Sequence, residues 1–316
     1  MSFAFRSTTA AERGRDMGAD RYHISLSVKR CFYNWPRRAA VDAGPVMSSY
    51  CASLAGKVEV VIGGTTGLGL SAARAFLAAG ASVVVVGRNP ASVAHALATL
   101  GPSARGLAGD ACDSATAPQA IALALATFGR FDGLYHVAGG SGRRMGDGPL
   151  HELTDDGWRA TVDLNLTSLV YSNRAAVRQF LAQGGGGAIL NMGSVLGWSP
   201  SPRYFATHAY AATKSAVIGF TKSIAAYYAA QNIRANVLAP ALIATPMSQR
   251  AAGDGAILSF VATKQPLDGG RMGRPDDCDG AAVYFMSDAA RFVTGQVLAV
   301  DGGWTVSEGQ LPANQS

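Results

Sequence analysis

Tyr210 and Lys214, in the run Tyr210-Ala211-Ala212-Thr213-Lys214, stand four residues apart, which places both side chains on one face of a helix. An ammonium held beneath a phenol favours the phenolate. Bringing a tyrosine from its free pKa near ~10 to roughly 7 takes about 4 kcal/mol of differential stabilisation. Shared between Lys214 and a cationic cofactor ring, that shift would make Tyr210 a general acid/base at neutral pH. About 140 residues upstream lies Gly63-Gly64-Thr65-Thr66-Gly67-Leu68-Gly69. Glycines there let backbone approach a pyrophosphate, and the helix that follows offers its free N–H groups.

Two such motifs need a scaffold that brings a helix face and a strand-to-helix turn together. From Lys57 onward, short β-branched runs alternate with alanine-rich helical stretches. Strands are expected at 58–63, 82–87, 105–108, 133–137, 188–192, 234–238 and 297–300, and their near-continuous hydrophobicity implies burial on both faces. Helices are expected over 68–79, 91–100, 115–128, 156–183, 208–230 and 276–287. The order predicts an α/β fold, a doubly wound, seven-stranded parallel sheet of Rossmann-like type with helices on both faces. Two stretches, 197–207 and 241–274, read as irregular. Both follow strand C-termini, where open α/β sheets bind ligands, so they are expected to wall the substrate pocket, with 247–274 as a mobile lid.

Composition narrows the function. Of 316 residues 48% are apolar and 15% charged, which suits one large, buried α/β domain over residues 47–316. The net charge of +6 sits mostly in residues 1–46, whose eight basic and four acidic side chains leave only +2 for the rest. A nucleic-acid-binding face is therefore not expected. Residues 1–46 have no hydrophobic periodicity and no apolar signal core, and read as a disordered leader or an upstream start ahead of Met47. Cys31, Cys51, Cys112 and Cys278 form no CxxC pair, and no histidine spacing suits a metal. Reduced thiols, a cytoplasmic location, no metal and no membrane span are the expectations.

Along Ile62–Gly303, about 240 residues, the chain resembles the short-chain dehydrogenase/reductase family, in the compact branch that includes 3-oxoacyl-carrier-protein reductase-like oxidoreductases. The resemblance implies a dinucleotide site at Gly63, Thr65, Gly67, Leu68 and Gly69, with Ile62 where the family has threonine. The second strand ends Gly87-Arg88, without the aspartate that marks NAD-preferring relatives. Arg88 is then the phosphate partner, and NADP(H) is expected ahead of NAD(H). Asp110 and Ala111 match the adenine contact, although any strand-end aspartate can merely cap the next helix. The family's Asn-Asn-Ala-Gly reads His136-Val137-Ala138-Gly139; Ala138 and Gly139 keep room for the ribose, and altered structural hydrogen bonding is expected at His136. Pro240, Ile243 and Thr245 match the turn that covers the nicotinamide.

The same resemblance completes a catalytic tetrad of Asn165, Ser194, Tyr210 and Lys214. Asn165 would hold a relay water, Ser194 would steady the reacting oxygen, and Lys214 would also bind the nicotinamide ribose. The implied reaction is hydride transfer between nicotinamide and a small-molecule carbonyl or secondary alcohol. An NAD-preferring alcohol dehydrogenase and a non-catalytic dinucleotide-binding regulator stand as alternatives. Ser194 lies sixteen residues before Tyr210, a longer interval than is usual. The added residues, with two prolines and three aromatics in 198–205, form a substrate wall or a surface bulge. Arg143 and Arg144 either receive an anionic substrate group or are simply solvated. Relatives assemble through the last strand and the long helices, so a homotetramer is expected.

Overall fold

The computed structural model describes residues 52–310. The expectation for residues 1–46, and Cys31 and Cys51, lie outside the described residues. Seven strands, β1 (Val58–Ile62), β2 (Ser82–Gly87), β3 (Ala104–Ala108), β4 (Gly133–His136), β5 (Gly187–Met192), β6 (Ile233–Pro240) and β7 (Val297–Val300), form one parallel sheet in the order β3-β2-β1-β4-β5-β6-β7. The strand order reverses between β1 and β4, the switch point at which such sheets open a crevice for ligands.

The helices interleave with the strands: α1 (Gly67–Ala78), α2 (Pro90–Leu100), α3 (Thr116–Phe128), α4 (Asp155–Val162), α5 (Ser168–Gln183), α6 (His208–Tyr228), α7 (Gln249–Ala252), α8 (Gly255–Lys264) and α9 (Asp279–Met286). Local chemistry sets their ends. Asn89 caps α2 through its side chain with Pro90 at the first helical position, and Thr154 caps α4 ahead of Asp155 and Asp156. Alternate residues of the central strands feed two cores. Val61, Val83, Val85 and Leu190 pack with Phe76 and Phe285 on one face, while Val60, Ile62, Val84 and Ile189 pack with Ile121 and Phe180 on the other. Fully burying each such side chain contributes about 1.5–3 kcal/mol.

Two expectations about elements need correction. The helix expected over 156–183 is broken by a widened π turn, Asp163–Thr167, which separates α4 from α5. The stretch 241–274, expected to be irregular, contains α7 and α8. Ile257, Phe260 and Val261 of α8 are buried in a third core with Val195, Ala251 and Trp304. Aromatic rings hold that core together: Tyr204 to Phe260 at 5.3 Å, Phe205 to Trp304 at 5.7 Å and Phe260 to Trp304 at 5.9 Å between centroids. Trp304 Nε1 also donates to Ser199 O at 3.2 Å. The added length between Ser194 and Tyr210 is thus packed against α8 rather than bulging free.

His136, where the family has asparagine, is buried on β4 with Nδ1 2.7 Å from Ser172 Oγ on α5. Its Nε2 lies 3.4 Å from Ser168 Oγ. Burial, and to a lesser degree the Lys214 charge, lowers its pKa to about 3. The altered hydrogen bonding therefore ties β4 to α5 through a neutral imidazole. On the adjacent strand, Asn191 exchanges hydrogen bonds with Asn173 of α5 and donates to Thr221 of α6 at 3.0 Å.

Candidate active site

The glycine turn joins β1 to α1 at the switch point. Gly63 and Gly64 donate to Val86 O at 2.9 and 3.0 Å, so the turn is fastened to β2. Side chains have no room here: a Cβ on Gly63 would lie 2.6 Å from Ala138 N, and one on Gly69 would lie 2.1 Å from Gly63 O. Gly67 has φ +52, a region glycine enters without strain. Thr66 gives α1 no side-chain cap, and its first turn carries no acidic residue. Leu68 and Gly69 thus sit in a helix start whose N–H groups remain open to an anion. That cradle fits a pyrophosphate.

Neighbouring residues fit the rest of a dinucleotide. A Cβ on Gly87 would stand 2.4 Å from Thr65 Oγ1, so buried Thr65 occupies the space an acidic side chain at the end of β2 would need. Arg88 is exposed beside it, and its charge reaches Cys112 near Asp110. Asp110 closes a local turn, with Oδ1 accepting from Cys112 N at 2.9 Å and its carbonyl accepting from Thr116 Oγ1 at 2.6 Å. Ala111 lies within that turn. On the other side Ala138 N donates to Ile62 O at 2.9 Å. Pro240 ends β6, and Ile243 is buried and bridged to Gly273. Thr245 stands against the phosphate turn, 3.4 Å from where a Cβ on Gly67 would lie.

The four catalytic candidates converge beside this crevice. The π turn places Asn165 in the interior, where Nδ2 donates to Gly140 O and Thr161 O, both at 2.9 Å. Its Oδ1 accepts from Gly140 N at 3.0 Å, so one carboxamide fixes the loop after β4. Such a widened turn frequently marks a functional site. Ser194 follows β5, is buried, and hydrogen-bonds Tyr210. Lys214 is buried on the same face of α6, with Nζ 5.5 Å from the Tyr210 ring centroid and donating to Met192 O at 2.8 Å. A Cβ on Gly139 would lie 2.8 Å from Asn165 Oδ1 and 3.6 Å from Lys214 Nζ, so glycine there keeps the passage open.

The chain's own electrostatics act opposite to the lowering expected of Lys214 and a cofactor ring together. Burial raises the Tyr210 pKa above its ordinary value, opposed by the Ser194 hydrogen bond. Burial brings Lys214 itself down to about 8, and its ammonium is engaged by the Met192 carbonyl. The site by itself therefore holds Tyr210 as a protonated phenol.

Sequence reasoning missed Asp147. This buried carboxylate sits on the loop after β4 and accepts from Ala209 N and Tyr210 N, both at 3.0 Å. It caps α6 at the residue that carries the chemistry, and favours the helix dipole as well. The pairing spans 62 residues, so no local pattern announces it.

Fold, glycine cradle and converging Ser194, Tyr210 and Lys214 define a dinucleotide-dependent oxidoreductase, and the comparisons agree. Residues 63–305 match the family model described as Enoyl-(Acyl carrier protein) reductase. A cis-4-hydroxycyclohexanecarboxylate dehydrogenase from Sinomonas cyclohexanicum is 35% identical over 255 residues, covering 80% of this chain and 98% of that protein. The solved structure of a short-chain type dehydrogenase/reductase from Mycobacterium ulcerans superposes with a TM-score of 0.75 at 34% identity, covering 81% of this chain and 92% of the other. A gluconate 5-dehydrogenase from Burkholderia cenocepacia J2315, in complex with NADP and tartrate, does so at 0.73 and 33%, covering 80% and 97%. The chain belongs to the short-chain dehydrogenase/reductase family and is an NAD(P)-dependent oxidoreductase.

Proposed function

We propose that the protein is an NADP(H)-preferring carbonyl reductase or secondary-alcohol dehydrogenase, with residues 47–316 as its catalytic unit, acting in the cytoplasm as a homotetramer. The reading rests on Ser194 and Tyr210 sharing a hydrogen bond with Lys214 buried on the same helix face beside the Gly139 passage. Gly63, Thr65, Gly67, Leu68 and Gly69 would hold the pyrophosphate, Arg88 the 2′-phosphate, and Asp110 and Ala111 the adenine. Ala138, Gly139, Lys214, Pro240, Ile243 and Thr245 would line the nicotinamide end. The bound nicotinamide supplies or takes the hydride and, when oxidised, adds positive charge to the site.

The remaining chemistry belongs to the chain. Ser194 orients the reacting oxygen by hydrogen bonding, and Tyr210, protonated at neutral pH, donates to that oxygen in the reduction direction. In oxidation the same atoms work in reverse. Lys214 fixes the ribose side of the passage, and Asn165 keeps the Gly140 loop from closing on it. The exposed edge of β7, where Leu298 is 40% exposed, and fully exposed Phe292 supply apolar surface for assembly.

Among the relatives, the Sinomonas dehydrogenase is named for a ring hydroxy acid and the Burkholderia enzyme for gluconate, so small hydroxylated rings and sugar acids are the skeletons to test first. In a screen of such alcohols and ketones with both cofactors, Tyr210→Phe is expected to keep cofactor binding and lose turnover by about 10²–10⁴-fold. Near-wild-type turnover would refute the role. Arg88→Ala should weaken NADPH binding by roughly tenfold or more and leave NADH binding unmoved. Unchanged NADPH affinity would end the NADP assignment.

A further inference from the structure

The turn assigned above to the nicotinamide begins where β6 loses its strand partner. Pro240 is the last β6 residue paired with β7, opposite Val300. Two residues on, the β7 chain turns away at Gly302, whose φ of +61 is left-handed. At the matching point after β6, Leu242 finds a substitute partner. Its N–H donates to Gln265 Oε1 at 2.9 Å, and Gln265 Nε2 donates back to Leu242 O at 3.2 Å. A peptide N–H can only donate, so this pairing fixes which end of the carboxamide faces which backbone group. One side chain thereby adds a rung beside β6 after the strand partner has turned away.

Gln265 is itself held firmly. It directly follows α8, is 2% exposed, and its own N–H donates to Val261 O at 2.7 Å. The closing turn presses on it: a Cβ on Gly302 would lie 3.1 Å from Gln265 Cβ, and Leu267 N donates to Gly302 O at 3.0 Å. Gly273 braces the same turn, donating to Leu242 O at 3.0 Å and accepting from Ala244 N at 2.8 Å. Thr245 then rests against the glycine cradle, its Cγ2 3.4 Å from where a Cβ on Gly67 would lie. Residues 242–245 are thus strung between two fixed points, the Gln265 carboxamide and the phosphate turn. Removing the carboxamide takes the acceptor from the Leu242 N–H and releases one of those points.

We propose that Gln265 is a positioning residue for the cofactor: by pairing with Leu242 it holds residues 243–245 in place for the nicotinamide, while the adenine end binds independently of it. The inference rests on the reading that this turn covers the nicotinamide, and it names the side chain that keeps the turn there.

Isothermal titration with two ligands separates this role from general stability. NADP+ carries the nicotinamide, and 2′-phospho-ADP-ribose lacks it while keeping the rest; NAD+ with ADP-ribose repeats the comparison for the other cofactor. In Gln265→Leu the dissociation constant for NADP+ should rise roughly tenfold while that for 2′-phospho-ADP-ribose stays within about twofold. Gln265→Glu supplies a stricter check. A protonated carboxyl accepts from Leu242 N and donates to Leu242 O as the carboxamide does, whereas a carboxylate opposes that carbonyl. Relative to wild type, the loss of NADP+ affinity in Gln265→Glu should be small near about pH 5.5, where burial keeps the acid protonated, and should approach that of Gln265→Leu near about pH 8.5. Equal weakening of both ligands in Gln265→Leu, or affinities that neither variant moves, overturns the inference. Faster amide hydrogen exchange at residues 242–245 in free Gln265→Leu, with α1 unchanged, supports the clamp even if wild type binds both ligands alike, an outcome that faults the nicotinamide reading and not the clamp. Unchanged exchange at those residues overturns it.

Discussion

Glu59 offers a perturbation whose magnitude follows from the structure. It sits on β1, fully buried, and neither carboxylate oxygen has a hydrogen-bond partner. A Cβ on Gly133 would lie only 2.0 Å from Oε2, so the neighbouring strand leaves it no other position. Burial, reinforced by Asp132, raises its pKa from 4.5 to about 8 against the opposing charges of Lys57, Arg234 and Arg130. The folded protein keeps this proton between those two values while the unfolded chain loses it. Stability is therefore undiminished below pH 4.5, falls as pH rises, and reaches its full loss above about 8. At pH 7 the cost is that of retaining a proton 2.5 units above the unfolded value of 4.5, about 3 kcal/mol. Glu59→Gln keeps the shape and removes the titration. Its melting temperature should match wild type near pH 4.5 and exceed it at pH 7 by roughly 6 °C or more. A difference of the same size at both pH values would refute the argument, because a packing effect does not follow the proton.

His136 gives the opposite slope. Its pKa is lowered from 6.5 to about 3, so stability is full above pH 6.5 and is lost as pH falls, by about 2 kcal/mol at pH 5; His136→Asn should flatten melting temperature between pH 7 and 5. Asp147→Ala removes the cap from α6 and should lower the melting temperature by the equivalent of about 1–2 kcal/mol. It should also reduce kcat about tenfold with little change in cofactor affinity, while Asp147→Asn, which keeps an oxygen at the same reach for one of the two N–H groups, should recover part of both losses.

The sheet was legible because valine- and isoleucine-rich runs announce strands buried on both faces, and all seven appear within a few residues of their expected limits. Glycine spacing likewise placed the cradle, since only a strand-to-helix turn lets Gly63 and Gly69 touch. Other features depend on contacts that no local pattern records. The π turn at Asn165 preserves helical periodicity on either side, so 156–183 reads as one helix. Helix α8 carries Ile257, Phe260 and Val261 at helical spacing, but Gly253-Asp254-Gly255 before it reads as loop, and Asp254 proves to be its cap, accepting from Ala256 N at 2.9 Å. The surroundings of the tyrosine were partly hidden for a related reason: the spacing to Lys214 shows that the two share a face, and it does not show that Met192 O accepts from the ammonium.

The end of β2 and the start of α6 are set by one kind of constraint. At Gly87 a neighbouring side chain, Thr65, fills the place an aspartate would take. Ahead of α6 the aromatic core of Tyr204, Phe205, Phe260 and Trp304 fixes the added segment, while Asp147 holds the first N–H groups of the helix. Neither pair of residues is adjacent in sequence, and each is determined by packing beneath it.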